Sequence, residues 1–245
     1  SGAPEAQSGG GAQPPPARAA FELNAGAFFG RRSFTASSSV DYELNTVVPL
    51  VGARVAVGVR LAQWANRRSR LRLAAHGAWA PYSVQFGAFG QTFDERGTHV
   101  SGRLELVYLQ ALSRALSARI AAGGDAISDT VEANPVFTGS RYTNARLTVG
   151  TVIHPDEVFE LMLSGGVMPI ITAETSGASY GNSRAGIGYT AHASLMLDLA
   201  DNLQLAAQYD LRVYSTAFPQ PEVIDATIQT NEVFHTGIFG LTYGF

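Results

Sequence analysis

The sequence predicts an all-β fold, a transmembrane antiparallel up-and-down β-barrel of ten strands, with eight or twelve as the neighbouring counts. Three observations predict it. Apolar residues recur with period two in ten successive runs, most runs span 10–14 residues, and short and long connections alternate along the chain. Strands of soluble sheets have a mode of roughly 5–6 residues, whereas a tilted strand needs about 9–11 to cross a bilayer.

Residues 1–18, with Gly9–Gly11 and Pro14–Pro16, form a low-complexity linker with nothing to bury, so the folded domain is expected at 19–245. Phe21, Leu23, Ala25, Ala27 and Phe29 then alternate with Glu22, Asn24 and Gly26, the signature of a half-buried strand. Val55, Val57, Val59 and Leu61 oppose Arg54, Gly58 and Arg60; Leu71, Leu73, Ala75 and Trp79 oppose Arg72 and His76. Leu104, Leu106 and Tyr108 oppose Arg103 and Glu105, and Ala118, Ile120 and Ala122 oppose Arg119 and Asp125. Ala145, Leu147, Val149 and Ile153 oppose Arg146; Phe159, Leu161 and Leu163 oppose Glu160. Ile187, Tyr189, Leu195 and Leu197 oppose His192 and Asp198; Leu203, Leu205, Tyr209 and Leu211 oppose Asp210 and Arg212. Gly237, Phe239, Leu241, Tyr243 and Phe245 close the chain.

Short connections fall at 65–69, 113–115, 155–157 and 200–202, and long ones at about 30–49, 83–97, 128–140, 171–186 and 215–230. A barrel inserted from one face of a membrane sorts its connections this way, with short turns on one side and both termini beside them. Breakers such as Asn134-Pro135, Ser176-Gly177 and Pro219 fit the long loops. Apolar loop residues, Phe34, Phe86, Phe89, Val136, Phe137, Phe218, Val223 and Ile224, are expected to pack as a lid over the barrel mouth or to form a partner surface.

With the apolar face in lipid, the opposite face lines the lumen. It carries seven cations, Arg54, Arg60, Arg72, Arg103, Arg119, Arg146 and Arg212, and seven anions, Glu22, Glu105, Asp125, Glu160, Asp198, Asp210 and Glu232. Balanced charges in a narrow bore read as a cross-linked, largely filled interior, because an isolated buried ion costs several kcal/mol. A ten-stranded bore is little wider than an eight-stranded one filled by its own side chains. Phe21, Trp64, Phe159, Tyr243 and Phe245 are expected near the short-turn interface, and Trp79, Tyr82, Tyr142 and Tyr214 near the other, although Trp64 and Tyr214 break the outward parity of their runs.

Composition removes several chemistries. The chain has 245 residues, a net charge of −3 and no cysteine, and all 17 of its basic residues are arginine. Without cysteine there is no disulfide scaffold, thiolate metal site, cysteine nucleophile or lipid-bearing cysteine in this sequence, so the barrel itself is expected to be the anchor. Scattered arginines give no nucleic-acid footprint. No stretch approaches 18 uninterrupted apolar residues, so no spanning helix is expected.

The last residues, Ile238 to Phe245, carry a resemblance. A terminal Phe245, Tyr243 two before it and Gly240 five before it resemble the C-terminal signal of bacterial outer-membrane β-barrels, while Ile238 stands where that family usually has a polar residue. The resemblance implies recognition by the barrel-assembly machinery, an outer-membrane location in contact with its lipid, long loops outside, and both termini with the Pro-rich segment in the periplasm. It carries over no catalytic or ligand residue.

No catalytic, cofactor or metal constellation stands out. His99 near Asp94 and Glu95 is the only candidate for an omptin-like outer-rim hydrolase, and its bland reading is solvated surface. His192 and Asp198, six residues apart on one strand, are roughly 20 Å apart and form no dyad. His76 reads as a luminal hydrogen-bonding group, His154 as a turn residue and His235 as an interfacial one. Gly123-Gly124 and Gly165-Gly166 open no helix and precede no lysine, so they are no phosphate loop. The expected function is therefore not enzymatic. It is a structural or interaction subunit of an envelope-spanning assembly of the motility or secretion type, meeting envelope protein partners through its outer loops or N-terminal tail. A small solute pore is the alternative and the outer-rim hydrolase the second.

Overall fold

A computed structural model describes residues 20–38, 42–64, 68–88, 91–132, 138–156, 158–177, 185–219 and 227–245. Ten strands follow in order: β1 (Phe21–Ser38), β2 (Tyr42–Trp64), β3 (Ser69–Ala88), β4 (Gln91–Ala111), β5 (Leu116–Val131), β6 (Thr138–Ile153), β7 (Phe159–Gly177), β8 (Ala185–Ala200), β9 (Leu203–Pro219) and β10 (Thr227–Gly244). Each pairs antiparallel with its sequence neighbours and β10 returns to β1, closing the barrel. The linker at 1–18 lies outside the described residues.

The wall is inside-out relative to a soluble barrel. Val51, Val55, Trp79, Leu104, Val149, Phe239 and Phe245 stand exposed on the outer face, while Arg103, Glu105, Asp125, Arg146 and Asp210 are buried within. Hydrocarbon is the solvent this exterior fits, because closure of the barrel leaves no open strand edge along the band. On β1 the outward residues run Phe21, Leu23, Ala25, Ala27, Phe29 and then switch to Arg31, Ser33, Thr35, Ser37. Nine residues at about 3.3 Å rise and 40° tilt make a band about 23 Å tall, near the ~25 Å expected of an outer-membrane barrel.

The strands continue well past that band, which corrects the expected long loops. Most of 30–49, 83–97 and 215–230 is strand, with β1 running to Ser38, β2 starting at Tyr42, β3 reaching Ala88 and β4 starting at Gln91. Alternation persists there with its sense reversed, because a wall standing in water must turn apolar residues inward. Phe34 and Phe218 are accordingly no lid over the mouth but part of an internal core with Phe28, Val48, Leu50, Tyr82, Ile127, Tyr142, Tyr214 and Phe234. Of the other residues expected in the lid, the side chain of Phe86 and all of Phe89, Val136, Phe137, Val223 and Ile224 lie outside the described residues. Ile238, the departure from the family signal, is 4% exposed and packs in the same core.

An irregularity explains one of the two aromatics that broke parity. A bulge between Arg60 and Ala62 shifts β2 by one residue, and a one-residue shift exchanges the two faces. Trp64 therefore stands outside, 46% exposed, near the foot of the wall. Tyr214 needs no such device because it is luminal, and so are Tyr82 and Tyr142; the upper interface is marked instead by Trp79, Tyr189 and Tyr209. Prolines mark where ladders end. The β2–β3 pairing stops upward at Ala53↔Trp79, just below Pro49 and Pro81, and the β7–β8 pairing stops at Pro169↔Ile187.

At the closing seam, Gly26 and Gly240 are register partners. A Cβ on Gly240 would lie 2.4 Å from the Ala25 carbonyl oxygen, and one on Gly26 would lie 2.5 Å from that of Phe239. Gly240 thus has a packing role beside any role in assembly. Gly240→Val is expected to cost about 1–3 kcal/mol in reversible urea unfolding from lipid vesicles. Gly237→Ala, where the nearest atom is an ordinary 3.9 Å away, should match the parent.

Candidate functional site

The lumen holds three tiers of charge set by strand parity. The uppermost lies inside the apolar core. Arg32 is fully buried and donates from Nε to Glu232 Oε2 at 2.9 Å and from Nη2 to Ser140 Oγ at 2.9 Å. The Ser140 hydroxyl donates in turn to Glu232 Oε1, which also accepts from the Tyr142 hydroxyl at 2.8 Å. Asp129 Oδ2 lies 4.0 Å from Arg32 Nε, and its other oxygen meets His99 Nδ1 at 2.8 Å. His99 stacks on Phe28 at 5.6 Å, and Tyr142 stacks on Tyr214 at 4.5 Å.

The central tier is a continuous network in which acids are shared. Asp125 meets Arg103 at 3.4 Å, Arg146 at 3.6 Å and Arg212 at 3.4 Å. Glu105 meets Arg146 at 2.8 Å and Arg119 at 3.5 Å. Asp210 meets Arg103 at 3.4 Å and His192 at 3.0 Å. Arg54 contacts Gln208 and His76. Sharing matters because a buried ion pair repays its desolvation only when the remaining lone pairs and protons are also satisfied. In the lowest tier Arg72 reaches Glu22 at 2.6 Å, His154 lies 3.5 Å from Glu160, and Asn24 donates to Thr242 at 2.8 Å.

This filling is not complete. A cavity of about 130 Å³ lies in the lower lumen towards the short turns, lined by the lower tier and the underside of the central one. Another, of about 20 Å³, lies between the central tier and the core, beside Arg54, His99 and Phe234.

Of the fourteen residues expected in the luminal network, Arg54, Arg103, Glu105, Arg119, Asp125, Arg146, Glu160, Asp210 and Glu232 are buried inside. Glu22, Arg72 and Arg212 are partly exposed within the lumen, and Arg60 sits at the lower end, 3.3 Å from Gln63. Asp198 shares the parity of Met196, which lines the lumen, and stands exposed at its lower mouth beside the β8–β9 turn, where Gln204 donates to it. The expectation omitted Arg32, Asp129 and His99. Extending the parity of Asn24 and Phe28 to Arg32, and of Asp125 and Ile127 to Asp129, is the signal that finds them. His99 pairs with Asp129 across the β4–β5 ladder rather than with Asp94 or Glu95 farther up its own strand. His235 sits outside, sharing a 2.7 Å hydrogen bond with the Tyr209 hydroxyl.

No family model matches the chain, and no curated protein matches it in sequence. Among solved structures it is similar to the outer membrane protease OmpT from Escherichia coli, at 12% identity over 91% of this chain and 97% of that one, with a TM-score of 0.48. It is also similar to the translocator domain of the autotransporter NalP from Neisseria meningitidis, at 10% identity over 92% and 88% with a TM-score of 0.48. The outer membrane protein OprG from Pseudomonas aeruginosa matches at 9% identity over 93% and 97%, with a TM-score of 0.40. No residue role passes from any of them to this chain.

Proposed function

We propose that this chain, a bacterial outer-membrane β-barrel in architecture, works as a non-conducting membrane anchor and interaction subunit of the cell envelope. The observation that carries the reading is the obstruction of the lumen at two levels. Through the upper half, Phe28, Phe34, Leu50, Tyr142, Tyr214 and Phe234 pack across the bore with 0–3% exposure. Below them, the guanidinium groups of Arg103, Arg146 and Arg212 converge on Asp125 from three different strands. A solute path would have to break both, and a conducting constriction is better served by charge of one sign left open to water.

The extended wall above the apolar band supports the interaction half of the reading. Its outer surface is polar, with Arg31, Asp94, Arg96 and Arg141 exposed, and its internal core holds it rigid enough to present side chains at a fixed height. Outer hairpins or the periplasmic tail would meet the partner, as in a motility or secretion assembly. Planar-bilayer recording of the purified chain tests the reading, with no sustained ohmic steps expected.

A further inference from the structure

We infer that the lower lumen is a binding site for a small organic anion of the phosphate or carboxylate class, entered from the short-turn mouth. The cavity of about 130 Å³ is lined by Arg68, Arg70, Arg72, Arg103, Arg119 and Arg146. Among the described residues the lining supplies three carboxylates, Glu22, Glu105 and Glu160, while Asp125 and Asp210 hold Arg103 and Arg146 from above, so five acids face seven arginines once the Arg212 on Asp125 is included. The three lining carboxylates are already engaged, Glu22 with Arg72, Glu105 with Arg119 and Arg146, and Glu160 with His154.

A second observation deepens the positive potential. Arg54, 5% exposed, contacts Gln208 and His76, both of which line the cavity. No carboxylate lies within salt-bridge distance of Arg54 among the described residues. Arg72 adds a buried Nε–H that makes no hydrogen bond. Low-dielectric walls focus the field of such a surplus, and the planar guanidinium fork matches the paired oxygens of a carboxylate or phosphate. A cavity of about 130 Å³ has room for one small anion. Between the arginines the walls are apolar, formed by Val57, Val107, Leu109, Val152, Met162 and Met196, which suits a ligand with a short hydrocarbon part. The site needs no through-path, so it stands apart from the proposed anchor role.

Calorimetric titration of the full refolded chain in detergent with inorganic phosphate, and separately with butyrate, tests this against chloride at matched ionic strength. Saturable binding of at least one of them is expected, weakened tenfold or more by Arg119→Gln and by Arg72→Gln. Arg31→Gln, on the outer face above the band, should bind as the parent does. If Arg119→Gln does not fold, Arg72→Gln at the mouth carries the test. No saturable heat with either anion, or binding that survives both luminal substitutions, overturns the site.

Discussion

Glu232→Ala is expected to destabilise the barrel by about 3–5 kcal/mol, the cost of leaving a buried cation without its partner. Glu232 is 1% exposed and accepts from three donors on two other strands: Arg32, Ser140 and Tyr142. Removing it takes away the carboxylate to which a fully buried guanidinium donates, with Ser140 Oγ at 2.9 Å and Asp129 at 4.0 Å remaining among the described residues. Glu232→Gln keeps an acceptor and the side-chain shape, so it should cost less than the alanine variant. Replacing Arg32 and Glu232 together by apolar residues of similar volume should recover much of the loss, since a buried pair contributes little net stability over such a replacement. Urea titrations of vesicle-embedded barrel, read by tryptophan fluorescence, order the three variants. An alanine variant as stable as the parent would mean that this cluster is hydrated.

Leu106→Arg is expected to cost about 2–4 kcal/mol when the barrel folds into bilayers, the penalty for arginine on a lipid face near the midplane. Leu106 is 43% exposed on the outer face, five residues above Ala111 at the foot of β4. Five residues of tilted strand rise about 13 Å, close to half of the apolar band. Ser37→Arg, on the outer face above the band, should change stability by no more than about 0.5 kcal/mol. In a water-soluble barrel both positions would behave as solvent-exposed surface, so equal, small effects would remove the assignment of this exterior to lipid.

The period of two made the ten strands, their order and the inside-out faces legible, because side-chain alternation is a local property of extended chain. Strand ends were less legible. Phe34 and Phe218 read as loop residues only while one face was assumed to be apolar throughout; the faces exchange roles where the wall leaves the membrane. That exchange hid Arg32 and Asp129, whose parity was nonetheless in plain view. Trp64 required a bulge, which no alternation rule signals in advance. Which acids pair with which arginines was beyond the sequence, since Asp125 meets Arg212 across 87 positions. Register and bore decide that, and both are properties of the closed sheet.

The obstruction of the lumen is the central claim, and single-channel recording addresses it most directly. Purified, refolded chain in planar bilayers, free of other porins, should give a flat baseline at both voltage polarities. Reproducible ohmic steps from the pure protein, scaling with salt concentration, would contradict the anchor reading and make the lumen a pore.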